Sequence, residues 1–134
     1  MGEHRPTIRV VSAEIERDGR WLIVQRSARA VLPMLWEFPG GRVREGETDP
    51  EALERSVRER IGVEVTVGGR ILEIEHAYDA WSVLLAVYRC KLAPGADPWA
   101  ENVAALAWVL PEDLADYPFP GADQKTVELL LRAG

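Results

Sequence analysis

Hydrophobic and polar positions alternate from Ile8 to Glu16, the period-two pattern of a strand with two different faces. Arg17-Asp18-Gly19-Arg20 is a hairpin signal, and Trp21 to Gln25 reads as the returning strand. Ser27 to Trp36 lacks a period and reads as a surface loop. Glu37 to Val43 holds Pro39, Gly40 and Gly41, residues chosen where the backbone needs unusual geometry or a close approach. Further strands are expected at Val63–Val67, Ile71–Ala77, Trp81–Leu92 and Ala105–Leu110, with a turn at Tyr78-Asp79-Ala80. Ala93 to Asn102 reads as a loop, and a short helix is expected at Pro111–Ala115 and a terminal one at Asp123–Arg132.

The central helix has the clearest boundaries. Thr48 or Asp49 can cap it, Pro50 suits its first turn, and Gly62 ends it just after Ile61. At about 100° per residue, Leu53, Val57 and Ile61 share one face, which must be the buried one. Ala52, Arg55, Ser56 and Glu59 cluster on another face, with Arg60 at its margin, while Glu51, Glu54 and Arg58 point to solvent. Glu47, just before the helix, is placed to pair with Arg55. Many strands, one central helix and one terminal helix predict an α+β fold, a mixed sheet covered on both faces by helices.

A chain of 134 residues fits one domain, residues 1–134, and 47 % hydrophobic with 28 % charged residues is the balance of a folded globular protein. The formal net charge of −6 argues against a nucleic-acid polymer as partner, because a phosphate backbone needs a broad basic surface. A small anionic ligand needs only a local positive site. The single cysteine, Cys90, cannot form a disulfide within the chain; it reads as a packing thiol and fits a reducing, cytoplasmic setting. No signal peptide, membrane-length apolar run or repeat is visible. His4 and His76 stand alone, in no metal-ligand spacing.

The stretch from Gly41 to Val63 resembles the Nudix box, G-x5-E-x7-R-E-U-x-E-E-x-G-U with U a bulky aliphatic. Gly41, Glu47, Arg55, Val57, Glu59, Gly62 and Val63 all fall in register. Two acidic positions do not: Ser56 stands at the first helical glutamate and Arg60 at the last. The string Leu35-Trp36-Glu37-Phe38-Pro39-Gly40-Gly41 also resembles the MutT-like branch of the family, and the likeness spans roughly the whole chain. It implies an α/β/α sandwich and hydrolysis of the diphosphate link in nucleoside triphosphates or related nucleoside diphosphate derivatives. It also implies a divalent ion, Mg2+ or Mn2+, that neutralises the diphosphate.

Hard cations want oxygen ligands, so carboxylates one helical turn apart are a natural holder. The resemblance assigns metal contacts to the carbonyl of Gly40, to Glu59, to the positions of Ser56 and Arg60, and to an acid in the late loop. Only Gly40 and Glu59 keep that chemistry; a hydroxyl is a weak ligand and a guanidinium opposes a cation. Glu54 is roughly 140° from Glu59 around the helix. Glu101 is the better substitute, although counting back from Trp108 puts Asn102 at the usual spot; Glu73 and Glu75 are weaker. The expectation is therefore a metal held weakly or not at all, with Glu59 and Glu101 as the catalytic acids and Gly41, Glu47 and Arg55 as the frame.

The resemblance also assigns Arg26 and Asp123 to the nucleotide. Phe38 fits either the base pocket or the core, and Asp123 fits base reading, a helix cap, or both. An ionised aspartate only accepts hydrogen bonds, which favours a base edge with N–H groups, such as cytosine or an oxidised guanine. Trp21, Trp81 and Trp99 read as packing residues. Arg60 is open to two readings: outward, toward solvent or Glu64, or inward, onto phosphate. Two functions follow, an impaired nucleotide pyrophosphohydrolase, or an inactive nucleotide-binding or regulatory module; either would work as a monomer or homodimer.

Overall fold

The computed structural model describes residues 6–30 and 33–133; His4 lies outside them. Among these residues seven strands form a mixed sheet. They are β1 (Thr7–Arg17), β2 (Arg20–Gln25), β3 (Trp36–Glu37), β4 (Gly40–Arg42), β5 (Val65–Ala77), β6 (Ser82–Leu92) and β7 (Ala105–Val109). The helices are α1 (Asp49–Ile61) and α2 (Gly121–Ala133), with a 3-10 turn at Pro111–Asp116.

β1 organises the sheet. One edge runs parallel to β6, from Thr7 opposite Ser82 to Ile15 opposite Cys90. Its other edge is shared: β4 pairs antiparallel at Val10–Ser12, and the hairpin to β2 takes over at Glu16–Arg17. β2 in turn carries β3 and β7, both antiparallel. This divided edge brings the glycine strand β4 beside the middle of β1.

The alternation along β1 sorts the two layers. Val11, Ala13 and Ile15 pack with Leu53, Val57 and Ile61 of α1, as the helical periodicity requires. The opposite face meets α2, where Leu85 and Val87 pack on Ala122, and Ile23 and Phe38 share a cluster with Leu114, Val127 and Leu130. Helices thus cover both faces of the sheet. Ala52, expected on the polar face of α1, is buried in the core instead; its methyl needs no polar partner. Cys90 is buried, and burial pushes its thiol up to about 11. Glu14 is buried too; Arg89 donates to it at 3.2 Å, and desolvation still raises its carboxyl.

Helix α1 begins where the sequence indicates. Thr48 is the N-cap, and with Glu51 it forms a reciprocal capping box: the Thr48 hydroxyl accepts from the Glu51 N–H at 3.3 Å, and the Glu51 carboxylate from the Thr48 N–H at 2.9 Å. Gly62 closes the helix in the left-handed region, φ 69°. The strands differ from expectation in two places. The short strands β3 and β4 lie in segments for which no strand was expected. Val65 to Ala77 is a single strand, where two were expected, with irregular register around Arg70. Gly68 reads as a break in sequence, but a Cβ there would stand 2.7 Å from the Arg89 carbonyl oxygen. The glycines let β5 bulge and stay against β6. Among the described residues no helix is long and apolar enough to cross a membrane.

Candidate active site

The frame of the site is a set of ion pairs around Arg55. Its Nε donates to Glu47 Oε2 at 2.6 Å and its Nη2 to Glu47 Oε1 at 3.0 Å. Nη2 also reaches the Arg42 carbonyl at 2.8 Å, and Nη1 reaches Glu59 Oε1 at 2.7 Å. Glu47 accepts in addition from the Arg44 backbone N–H at 2.8 Å. One guanidinium therefore ties the loop before α1, the strand β4 and the exposed face of α1 together. Arg55 and that backbone donor hold the Glu47 carboxyl down to about 2, so it stays ionised at neutral pH.

Strand β4 lies directly on α1. A Cβ added to Gly41 would stand 3.1 Å from Ser56 Cβ and 3.5 Å from Arg60 Nη2. Two hollows meet here. A cavity of about 370 Å3 opens on the α2 face of the sheet; its lining includes Ser12, Arg26, Phe38, Tyr78, Trp81 and Asp123. An open cleft of about 440 Å3 lies over α1, lined by Gly41, Arg42, Arg44, Arg55, Ser56, Glu59, Arg60 and Asn102. Gly41, Arg42 and Arg60 line both, so cavity and cleft adjoin along β4 and the end of α1.

The cleft's charge is positive. Four arginines line it against one carboxylate, Glu59. That carboxylate is engaged by Arg55 and, at 3.4 Å, by Arg44. Ser56 is 2 % exposed, and its hydroxyl donates back to the Leu53 carbonyl at 3.3 Å. Arg60 does not turn out to Glu64; Arg58 takes that partner at 2.6 Å. Instead Arg60 is half-buried, lies along Gly41, and its guanidinium has no hydrogen-bond or ion-pair partner among the described residues.

The structure does not bring Glu101 to Glu59. The Glu101 carboxylate accepts from the Trp99 indole N–H, and it does not line the cleft. Asn102 does, and its amide donates to the Glu59 carbonyl at 2.7 Å. The cause is the loop's attachment to the end of α1. The Trp99 N–H bonds to the Ile61 carbonyl, and the N–H groups of Glu101 and Asn102 both bond to the Arg60 carbonyl, all at 3.1 Å. Those bonds fix the loop register, so the one residue of slack that Glu101 needed is absent.

Asp123 sits at the other end, 7 % exposed in the first turn of α2 and two residues inside the helix start. It is thus not at the cap position. Its carboxyl has no hydrogen-bond partner among the described residues. Burial, and then the charge of Glu37, hold its pKa well above the ordinary carboxylate range, against the pull of Arg26. The acceptor-only expectation is of the ionised form; the neutral form that this shift favours both donates and accepts. Arg26 lines the same cavity and binds Glu37 through Nη1, at 2.9 and 3.1 Å. Phe38 is buried in the core, stacks on Phe119 at 5.5 Å, and also lines the cavity.

Three cavity residues were not legible in the sequence. Trp81, expected only to pack, stacks on Tyr78 at 5.2 Å, and both line the cavity. The Tyr78 hydroxyl accepts from the Ala122 N–H at 3.2 Å, which steadies the start of α2 beside Asp123. The Ser12 hydroxyl is buried without a partner on the cavity's strand wall. Strand alternation put Ser12 on one face of β1, and an unsatisfied buried hydroxyl on that face is the signal that marks it. His76 packs against Gly121, whose Cβ would come within 2.5 Å of its ring.

A glycine strand on a helix whose Glu47–Arg55 pair locks the loop is a family arrangement, and the comparisons agree. The NUDIX domain pattern matches residues 10–129. The chain is 36 % identical to CTP pyrophosphohydrolase of Escherichia coli (strain K12), over 92 % of this chain and 91 % of that protein.

The chain belongs to the Nudix family.

A further Nudix relative, putative 8-oxo-dGTP diphosphatase 2 of Mycobacterium tuberculosis (strain ATCC 25618 / H37Rv), is 36 % identical over 92 % of this chain and 87 % of its own length. In structure, a MutT NUDIX hydrolase from Burkholderia pseudomallei superposes with a TM-score of 0.81 at 25 % identity, covering 92 % of this chain and 98 % of that one. The chain is thus a Nudix hydrolase of the MutT-like type with the family's α+β fold.

Nudix hydrolases generally use divalent ions such as Mg2+. The residues of this Nudix cleft do not fit one. The single carboxylate is already neutralised by two guanidiniums, Ser56 is turned back to the helix, and Arg60 adds positive charge to the same cleft. Among the described residues no three His, Cys, Asp or Glu side chains are grouped to hold a metal.

Proposed function

We propose that this Nudix chain binds nucleoside triphosphates, base in the cavity and phosphates along Gly40–Gly41, and hydrolyses the diphosphate link slowly. The observation that carries this reading is that the two hollows adjoin, with Gly41, Arg42 and Arg60 lining both. A nucleotide has the same layout, an aromatic base and an anionic chain joined through a sugar. Phe38, Tyr78 and Trp81 offer the base apolar and aromatic surface. Asp123 reads its edge, donating one hydrogen bond and accepting another. Cytosine and 8-oxoguanine both present a donor beside an acceptor, and these are the bases named in the two relatives' activities.

Hydrolysis requires attack of water on phosphorus and departure of a phosphate oxygen. Glu59 is the one carboxylate in the cleft, and Arg55 and Arg44 already occupy the oxygens that would take a proton from that water. Magnesium enters this proposal as a weakly held ion at most. Retained binding with feeble turnover is what the residue set supports.

Base reading is tested by measuring CTP and 8-oxo-dGTP affinity in Asp123 variants. Asp123→Ala should weaken binding by about tenfold or more, the worth of roughly one good hydrogen bond. Asp123→Asn keeps a donor and an acceptor and should stay within a few-fold of the parent. The raised pKa sets the sign of the pH response: the neutral form is the favoured one in the fold, so its contribution is complete at low pH and is lost as pH rises through the raised value. Affinity in the parent should therefore fall on the alkaline side, and the asparagine variant should lack that fall. If neither nucleotide binds the parent, or the alanine variant binds as well as the parent, the reading is wrong.

A further inference from the structure

We propose that Arg60, with Arg42 beside it, takes the place of the divalent ion and grips the nucleotide's diphosphate directly, so that binding needs no metal. The inference rests on the nucleotide reading above and adds how the phosphates are held.

Charge accounting singles out these two residues. Of the arginines lining the cleft, Arg55 is committed to Glu47, Glu59 and a carbonyl, and Arg44 leans on Glu59. Arg42 and Arg60 alone among them have side chains without a hydrogen-bond or ion-pair partner among the described residues, and these two line both the cleft and the cavity. Arg60 is half-buried. A partly desolvated guanidinium with no counter-charge is costly, and an anion relieves that cost. Next to it the Gly41 backbone is bare, with the Arg60 Nη2 only 3.5 Å from where a Cβ would stand. An elongated anion can therefore lie along the strand and meet the guanidinium fork edge-on, the geometry suited to phosphate oxygens.

The exchange has a functional consequence. A guanidinium neutralises phosphate charge as a metal does, yet it cannot bind a water and lower that water's pKa. Grip and turnover are then separated by two residues, Ser56 and Arg60. Magnesium, by occupying phosphate oxygens in solution, should compete with the arginine instead of assisting it.

The experiment is calorimetric titration of the full chain with CTP and with inorganic pyrophosphate, each in EDTA and in magnesium chloride. Both should bind in EDTA, with affinity equal to or above that in magnesium. Arg60→Ala should weaken both in EDTA by about tenfold or more, the size of a lost charge-assisted hydrogen bond, and Arg60→Lys should restore part. Because the Arg60 side chain bonds to nothing among the described residues, the variant should keep the parent's denaturation midpoint, which a thermal scan checks. If CTP binds only with magnesium and Arg60→Ala changes nothing, the arginine grip is wrong and the nucleotide reading stands. If pyrophosphate binds in EDTA through Arg60 but CTP does not bind at all, the grip stands and the nucleotide reading fails.

Discussion

Ser56→Glu combined with Arg60→Glu should raise magnesium-dependent hydrolysis of a nucleoside triphosphate by about 100- to 1000-fold over the parent. A bound cation that clamps the transferring phosphate is worth several kcal/mol of transition-state stabilisation, and each ~1.4 kcal/mol is tenfold in rate. The double change removes a positive charge from the cleft and adds two carboxylates one turn apart beside Glu59. Both are needed. Ser56 is buried beside Gly41, and the Arg60 guanidinium lies along the same glycine, so a lone glutamate there should pair with Arg60 and gain nothing. With Arg60 shortened to glutamate, the space its guanidinium filled along Gly41 accepts the new side chain. Release of pyrophosphate or phosphate, followed against magnesium concentration, reads the effect. A parent that already turns over rapidly with magnesium, and a double variant no faster, would mean that another acid completes the site.

Gly40→Ala should be the most damaging single change to the fold, costing about 3 kcal/mol or more of a total that for domains of this kind is roughly 5–15. The new Cβ would stand 2.0 Å from the Val11 carbonyl oxygen and 2.8 Å from Ser12 Cα. Those are backbone atoms of β1, held on their other side by nine residue pairs with β6, so they cannot swing away as a side-chain tip would. β4 must detach, and with it goes the strand on which the phosphates would lie. Gly41→Ala makes the control. Its Cβ would meet the Ser56 and Arg60 side chains at 3.1 Å and beyond, contacts that adjust, so stability should fall far less. Urea denaturation of the two variants decides it; a Gly40→Ala midpoint equal to the parent's would overturn the close-approach argument.

What the chain disclosed before its structure was known follows the range of the interactions. The start and end of α1, and the pairing of Glu47 with Arg55, are set by residues within a turn or two of one another, and they read directly. Arg60 at the site margin followed from the same helical geometry. The unbroken β5 did not, because Gly68 and Gly69 permit either a break or a bulge and only the Arg89 backbone on β6 selects the bulge. The late loop turned on a single residue of register, set by two N–H groups sharing the Arg60 carbonyl; nothing local in Glu101-Asn102 encodes it. The raised pKa of Asp123 was equally hidden, since it comes from burial beneath elements far apart in sequence and from Glu37 across the cavity.

The proposed exchange turns a cation site into an anion site. Calorimetric titration of magnesium chloride into the nucleotide-free parent, beside the Ser56→Glu, Arg60→Glu double variant in the same buffer, tests it most directly. The double variant should give a saturable isotherm and the parent only heat of dilution. A tight, stoichiometric magnesium isotherm from the parent would contradict it.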